Sequence, residues 1–230
     1  MRVRIAAAFL AGALASLAVA ASAGAVIGIY RNDMGSEGQR AQIAKLSGER
    51  CRAGGSDHAY RIFIGKRTRE CSYRTPVIGR DLEIAAVGRL LQGTPKAVRR
   101  KAFLALNLRA GEAGARYQLA VFPLQRKAQL RKIDGDGRID YLHIERGVEA
   151  RGVNRANELR LRAFNVTRGK DRGDCHVFAW VGNELIAKVT DPASGLLQGR
   201  TSGFSLGSVG KAKDTLGSFD EVVVRVPDPA

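Results

Sequence analysis

Two runs near the C-terminus leave this chain few folds to choose from. Val177-Phe178-Ala179-Trp180-Val181 and Leu185-Ile186-Ala187-Lys188-Val189 are short and rich in β-branched and aromatic residues, with Gly182-Asn183-Glu184 between them. Gly and Asn accept the positive φ angles of a tight hairpin, so Cys175–Asp191 is predicted to be strand, turn, strand. Upstream, Leu159-Arg160-Leu161-Arg162-Ala163 alternates apolar with charged side chains. A period of two puts the leucines on one face and the arginines in water. Downstream, Phe204–Ser208 and Phe219–Val226 read as two more strands. Pro227 and Pro229 end the run, because proline has no N–H to give a ladder.

Earlier stretches read the same way. Ala59–Lys66 and Asp81–Leu91 are predicted strands, the first followed by a break at Thr75-Pro76 and the second by a turn at Gln92-Gly93-Thr94-Pro95. Residues 96–101 suit a helix by propensity, whereas 101–109 alternate and have a hairpin mate in Arg116–Pro123 across Gly111–Gly114. Gln129–Ile133 and Ile139–Ile144 pair across Asp134-Gly135-Asp136-Gly137. Gly35–Gly55 is polar and reads as a loop with a short helical turn at Arg40–Leu46. Short strands every ten residues or so, with glycine-rich turns, imply an all-β sandwich or barrel and exclude an alternating α/β plan.

The succession NELRLRAF, FAWVGNELIAKVTD, GRTSGFSLGS and SFDEVVVRVP resembles the C-terminal half of the concanavalin A-like lectin/glucanase jelly roll, including its laminin G-like members. The resemblance spans about residues 26–227 and implies a two-sheet antiparallel β-sandwich. It also implies that Val26–Asp33 is a first strand lying near the last one. Carbohydrate binding is the activity it suggests. Glucanase members carry a Glu-x-Asp-x-(x)-Glu strand, which this chain lacks, so a non-catalytic role is expected.

Met1-Arg2-Val3-Arg4 followed by an Ala/Leu/Val-rich core resembles an export signal, with small-x-small cleavage positions ending at Ala20, Ala23 and Ala25. Residues 1–25 are therefore expected to be a cleaved leader and 26–230 the exported domain. The competing reading is a retained anchor, since residues 5–29 carry no charge and have the length to span a bilayer. Membrane association is expected only in that case. The net charge of +16 falls by two if the leader is lost. Such a balance favours anionic glycans, phosphate polymers, lipid headgroups or nucleic acid as partners, or else is a basic solvated surface. Arg126-Lys127 and Arg131-Lys132 have only Phe122 and Tyr141 near them. That interleaving is too sparse for a nucleic-acid site, and export argues against one. Cys51 and Cys71 flank the predicted strand at Tyr60–Gly65 and are the pair expected to bridge in an oxidising compartment. Three cysteines allow three single bridges; in this pairing Cys175 is a buried thiol.

Candidate chemistry is thin. Asp134, Asp136 and Asp140 are close enough to suggest calcium, a hard ion that prefers oxygen ligands. The EF-hand spacing fails, however, and Asp-Gly pairs are good hairpin turns in their own right. No other cofactor is implied. Asp220-Glu221 are adjacent, so a regular strand would point them to opposite faces. His58, His143 and His176 sit in no nucleophile motif. Asn165-Val166-Thr167 matches a glycosylation sequon at a strand end. Sugar binding calls for exposed rings beside polar groups, and the candidates are Trp180, Tyr141 and Tyr117, each also able to serve as packing. Two readings compete with sugar or polyanion binding: a glycan-acting enzyme whose carboxylates the spacing conceals, and a purely structural or adhesion module.

Overall fold

A computed structural model describes residues 27–56, 58–66, 68–111, 113–167, 169–170, 172–192, 199–210 and 214–226. The expected leader or anchor at 1–25 lies outside them. Among the described residues no helix is long and apolar enough to cross a membrane.

The strands in chain order are β1 Ile27–Asn32, β2 Ala44–Ser47, β3 Cys51–Ser56, β4 Ala59–Ile64, β5 Glu70–Ile78, β6 Leu82–Leu90, β7 Ala102–Ala110, β8 Arg116–Phe122, β9 Lys127–Ile133, β10 Ile139–Arg146, β11 Asn157–Asn165, β12 Cys175–Val181, β13 Glu184–Asp191, β14 Thr201–Ser208 and β15 Thr215–Val226. They form two antiparallel sheets. One runs β13-β12-β11-β6-β15-β4-β3, with β1 also paired to β15; the other runs β10-β9-β8-β7-β14-β5-β2. The first strand thus returns to the last, with Ile27 opposite Val226 and Asn32 opposite Val222. The hairpin at Gly182-Asn183 forms as expected, Gly182 at φ 60° and Val181 opposite Glu184.

Alternate residues of both sheets fill the space between them. Tyr60, Tyr73, Phe204 and Phe219 interlock at its centre, with Phe204 and Phe219 centroids 4.7 Å apart across the two sheets. Full burial of one such ring stabilises by roughly 1.5–3 kcal/mol. The sheets are also clamped at opposite edges. Cys51 of β3 is bonded to Cys71 of β5, the pairing expected, and Cys175 is a buried free thiol. At the far edge Lys132 Nζ of β9 donates to both oxygens of Asp191 on β13 (3.0 and 2.7 Å), and the Tyr117 hydroxyl donates to the same carboxylate.

Three expectations need correcting. The helical turn lies at Glu37–Ala41, not Arg40–Leu46, because Ser36 and Gln39 form a reciprocal capping box there. The polar stretch 35–55 also contains β2 and β3 rather than only loop. Pro76 does not break the chain: it lies inside β5, beyond the last pairing with β2 and within the register shift between Thr201 and Gly203 of β14. At that point no ladder needs its missing N–H.

Candidate functional site

Cross-strand pairing sets the outer face of the eight-stranded sheet. One row across it reads Lys188, Phe178, Arg162, Glu83, Arg225. The next reads Leu185, Trp180, Arg160, Ala85, Val223, and a third Glu158, Val87, Asp220. Phe164, Phe178 and Trp180 stand in a stacked ladder, with centroids 5.7 and 5.9 Å apart and planes within 10° and 13°. His176 meets Phe164 edge-on at 5.6 Å.

Cations cover this ladder. The Arg160 guanidinium lies 4.1 Å from the Trp180 ring centroid, Arg162 lies at 5.6 Å, and the Lys188 ammonium is 5.7 Å from that of Phe178. Arg162 is also committed to Glu83 (2.6 Å), which Arg225 approaches at 3.7 Å. Arg160 and Lys188 have no carboxylate partner among the described residues, so their charge is open to a ligand.

Beside the ladder runs a groove of about 380 Å³ lined by Ala85, Val87, Glu158, Arg160, Glu221 and Val223, with the Gly182-Asn183 turn at its rim. Its floor is low because β6 offers only small side chains there. Glu221 enters through a β-bulge: the register shifts between Asp220 and Val223, and Glu221 takes φ +50°. The extra residue defeats simple alternation. Asp220 and Glu221 therefore share the outer face, against expectation, with Asp220 held by Arg89 at 2.6 Å.

The three candidate rings are not brought together. Trp180 stands at this groove. Tyr117 is in the core, where burial raises its hydroxyl pKa. Tyr141 is 54% exposed on edge strand β10 of the other sheet. Of the calcium candidates, Asp134 Oδ1 accepts the amides of Asp136 and Arg138 (3.0 and 2.8 Å), a turn function, and Asp140 faces Arg138 at 3.7 Å. Among the described residues no three His, Cys, Asp or Glu side chains cluster as a metal site would require. Sequence reading missed Arg160 and Glu158 and set Glu221 aside as one of an adjacent pair; the alternation of 159–163 was the one available hint to the first.

With this topology the chain is a two-sheet antiparallel jelly-roll β-sandwich. No protein-family model and no curated protein sequence matches it. Solved structures do. A Bacillus subtilis protein of unknown function with a galectin-like fold aligns at TM-score 0.63 and 12% identity over 90% of this chain and 100% of its own. The carbohydrate binding module CBM66 from Bacillus subtilis aligns at 0.60 and 12% over 80% and 95%. The alginate lyase vAL-1 from Chlorella virus aligns at 0.59 and 9% over 87% and 100%.

Proposed function

We propose that this protein is an exported, non-catalytic carbohydrate-binding domain that holds a sugar chain in the groove beside Trp180. The observation that carries this reading is the juxtaposition of a cation-capped aromatic ladder with an open groove edged by the carboxylates of Glu158 and Glu221. Rings take the apolar faces of sugars; the charged groups at the rim exchange hydrogen bonds with hydroxyls, which fixes orientation. The fold is shared with a carbohydrate-binding module, and the disulfide suits an extracytoplasmic compartment. Binding to an acidic cell-surface polymer extends the same reading, given the free charge of Arg160.

The test is a glycan array read at low and high salt. Salt-resistant binding to a sugar, lost in Trp180→Ala, is expected. Binding that Trp180→Ala leaves intact overturns the site, and binding that salt abolishes for every glycan replaces the sugar by a polyanion held through charge alone. A second reading has one observation in its favour: Glu158 and Glu221 flank the same groove from strands on either side of β6, and glycoside hydrolysis needs two carboxyl groups about one bond. Release of reducing sugar from any bound glycan, lost in Glu158→Gln, would replace the non-catalytic assignment.

A further inference from the structure

The outer face of the seven-stranded sheet holds a different chemistry. One row across it reads Arg74, Gly203, Asn107, Gln118, Arg131, Tyr141. Arg131 is 4% exposed. Its Nε donates to Gln129 Oε1 at 3.1 Å, one Nη to the same oxygen, and the other Nη to Gln118 Oε1 at 3.1 Å. Both acceptors are neutral amides, and no carboxylate pairs with this guanidinium among the described residues. The nearby acid, Glu70, is already engaged by Arg116 (3.0 Å), Ser72 (3.0 Å) and Gln118 (2.8 Å). Three rings surround the charge instead: Phe103 at 5.0 Å, Phe122 at 5.4 Å and Tyr141 at 5.9 Å.

Two neighbours point the same way. Lys127 Nζ sits 4.3 Å from the Phe122 centroid and has no acidic partner among the described residues. Its pKa is lowered by burial and by the charges of Arg131 and Arg146. Arg116 Nε is a buried donor with no acceptor among the described residues. The face therefore gathers Arg116, Lys127 and Arg131 near the carboxylate of Glu70. A buried charge without a directly bonded counter-ion is costly. A guanidinium has five N–H donors in a planar fork, of which Arg131 spends three, leaving two for a bidentate acid.

We infer that Arg131 and Lys127 form an anion-recognition point for the carboxylate or sulfate of an acidic sugar, on the side of the sandwich opposite the Trp180 groove. Tyr141 is the entry. Its ring lies over Arg131, is more than half exposed, and belongs to an edge strand whose register slips between Tyr141 and His143, so it turns aside without disturbing the ladder. This site stands on its own observations and does not depend on the groove reading.

The experiment titrates the full chain with sodium glucuronate, inorganic sulfate and glucose, followed by calorimetry and thermal shift. Glucuronate or sulfate is expected to bind and raise Tm while glucose does neither, and whichever anion binds names the acid group. Arg131→Gln is expected to weaken anion binding at least tenfold. Lys127→Gln, which removes no hydrogen bond and keeps the fold should the arginine variant not survive, is expected to weaken it several-fold. Trp180→Ala and Arg160→Gln are expected to leave it unchanged. The assignment is overturned if neither anion binds, if glucose binds equally, if Lys127→Gln has no effect, or if Arg160→Gln abolishes binding.

Discussion

The two outer faces of this sandwich are built from the same kinds of residue and arrive at opposite states. On the eight-stranded sheet, small side chains on β6 leave a groove, and two cations lie on rings with their charge uncommitted. On the seven-stranded sheet, the polar side chains are closed into a network: Ser72 to Ser205 (2.8 Å), Ser205 to Asn107 (2.5 Å), Asn107 to Gln118 (3.0 Å), and Gln118 to Glu70 and Arg131. Polar residues in water are cheap to keep and free to bind. Buried ones must satisfy each other, and the group left short, Arg131, becomes the informative one.

Alkaline pH is expected to break both faces together. Burial raises the pKa values of Tyr60, Tyr73 and Tyr117 in the shared core, Tyr73 to about 12. Against an ordinary value of 10.0, the folded chain holds its protons longer than the unfolded one. The stability linked to them is thus complete below pH 10 and is lost as pH rises through 12. Tm followed with tyrosinate absorbance should fall across that window; a flat profile would place these hydroxyls in water.

Single substitutions should separate the faces. Glu70→Ala leaves Arg116 buried without its acid and should cost about 3–5 kcal/mol in urea unfolding, with groove binding retained in the folded fraction. Removing the Cys51–Cys71 bridge, which spans 20 residues, should cost about 3 kcal/mol and spare both faces, since it clamps the edge. Trp180→Ala should weaken sugar binding about tenfold, near 1.4 kcal/mol, while changing stability by about 1 kcal/mol through lost stacking. Smallest is Glu221→Gly. A side chain at φ +50° is strained, so the glycine variant should gain up to about 1 kcal/mol in stability while losing one carboxylate from the groove. A loss of stability there would mean that Glu221 holds the bulge in place.

Much of the fold was legible because its signals are local. Alternation at 159–163, the Gly182-Asn183 turn and the Asp134–Gly137 turn each name strands and their nearest partners. Pro76 misled because its tolerance depends on where β2 stops, a fact of another segment. Asp220-Glu221 misled because a bulge is decided by pairing with β6. Trp180 was found as a ring beside a turn, but the groove it borders was not, since Ala85 and Val223 lie far away in sequence.

By itself the sequence determined β1, β4 and the strands from β6 onward, and the face each residue presents wherever alternation is regular, because period two is a property of adjacent residues. It also supplied the strand-by-strand order from which the jelly roll was inferred. Only the tertiary structure decided which strands became neighbours. That choice set Glu70 against Arg116, put Arg131 on the amides of Gln129 and Gln118, and laid Arg160 on Trp180 beside an open groove. Such meetings depend on sheet order and register, which arise from burying all the apolar faces at once and not from any one stretch of chain.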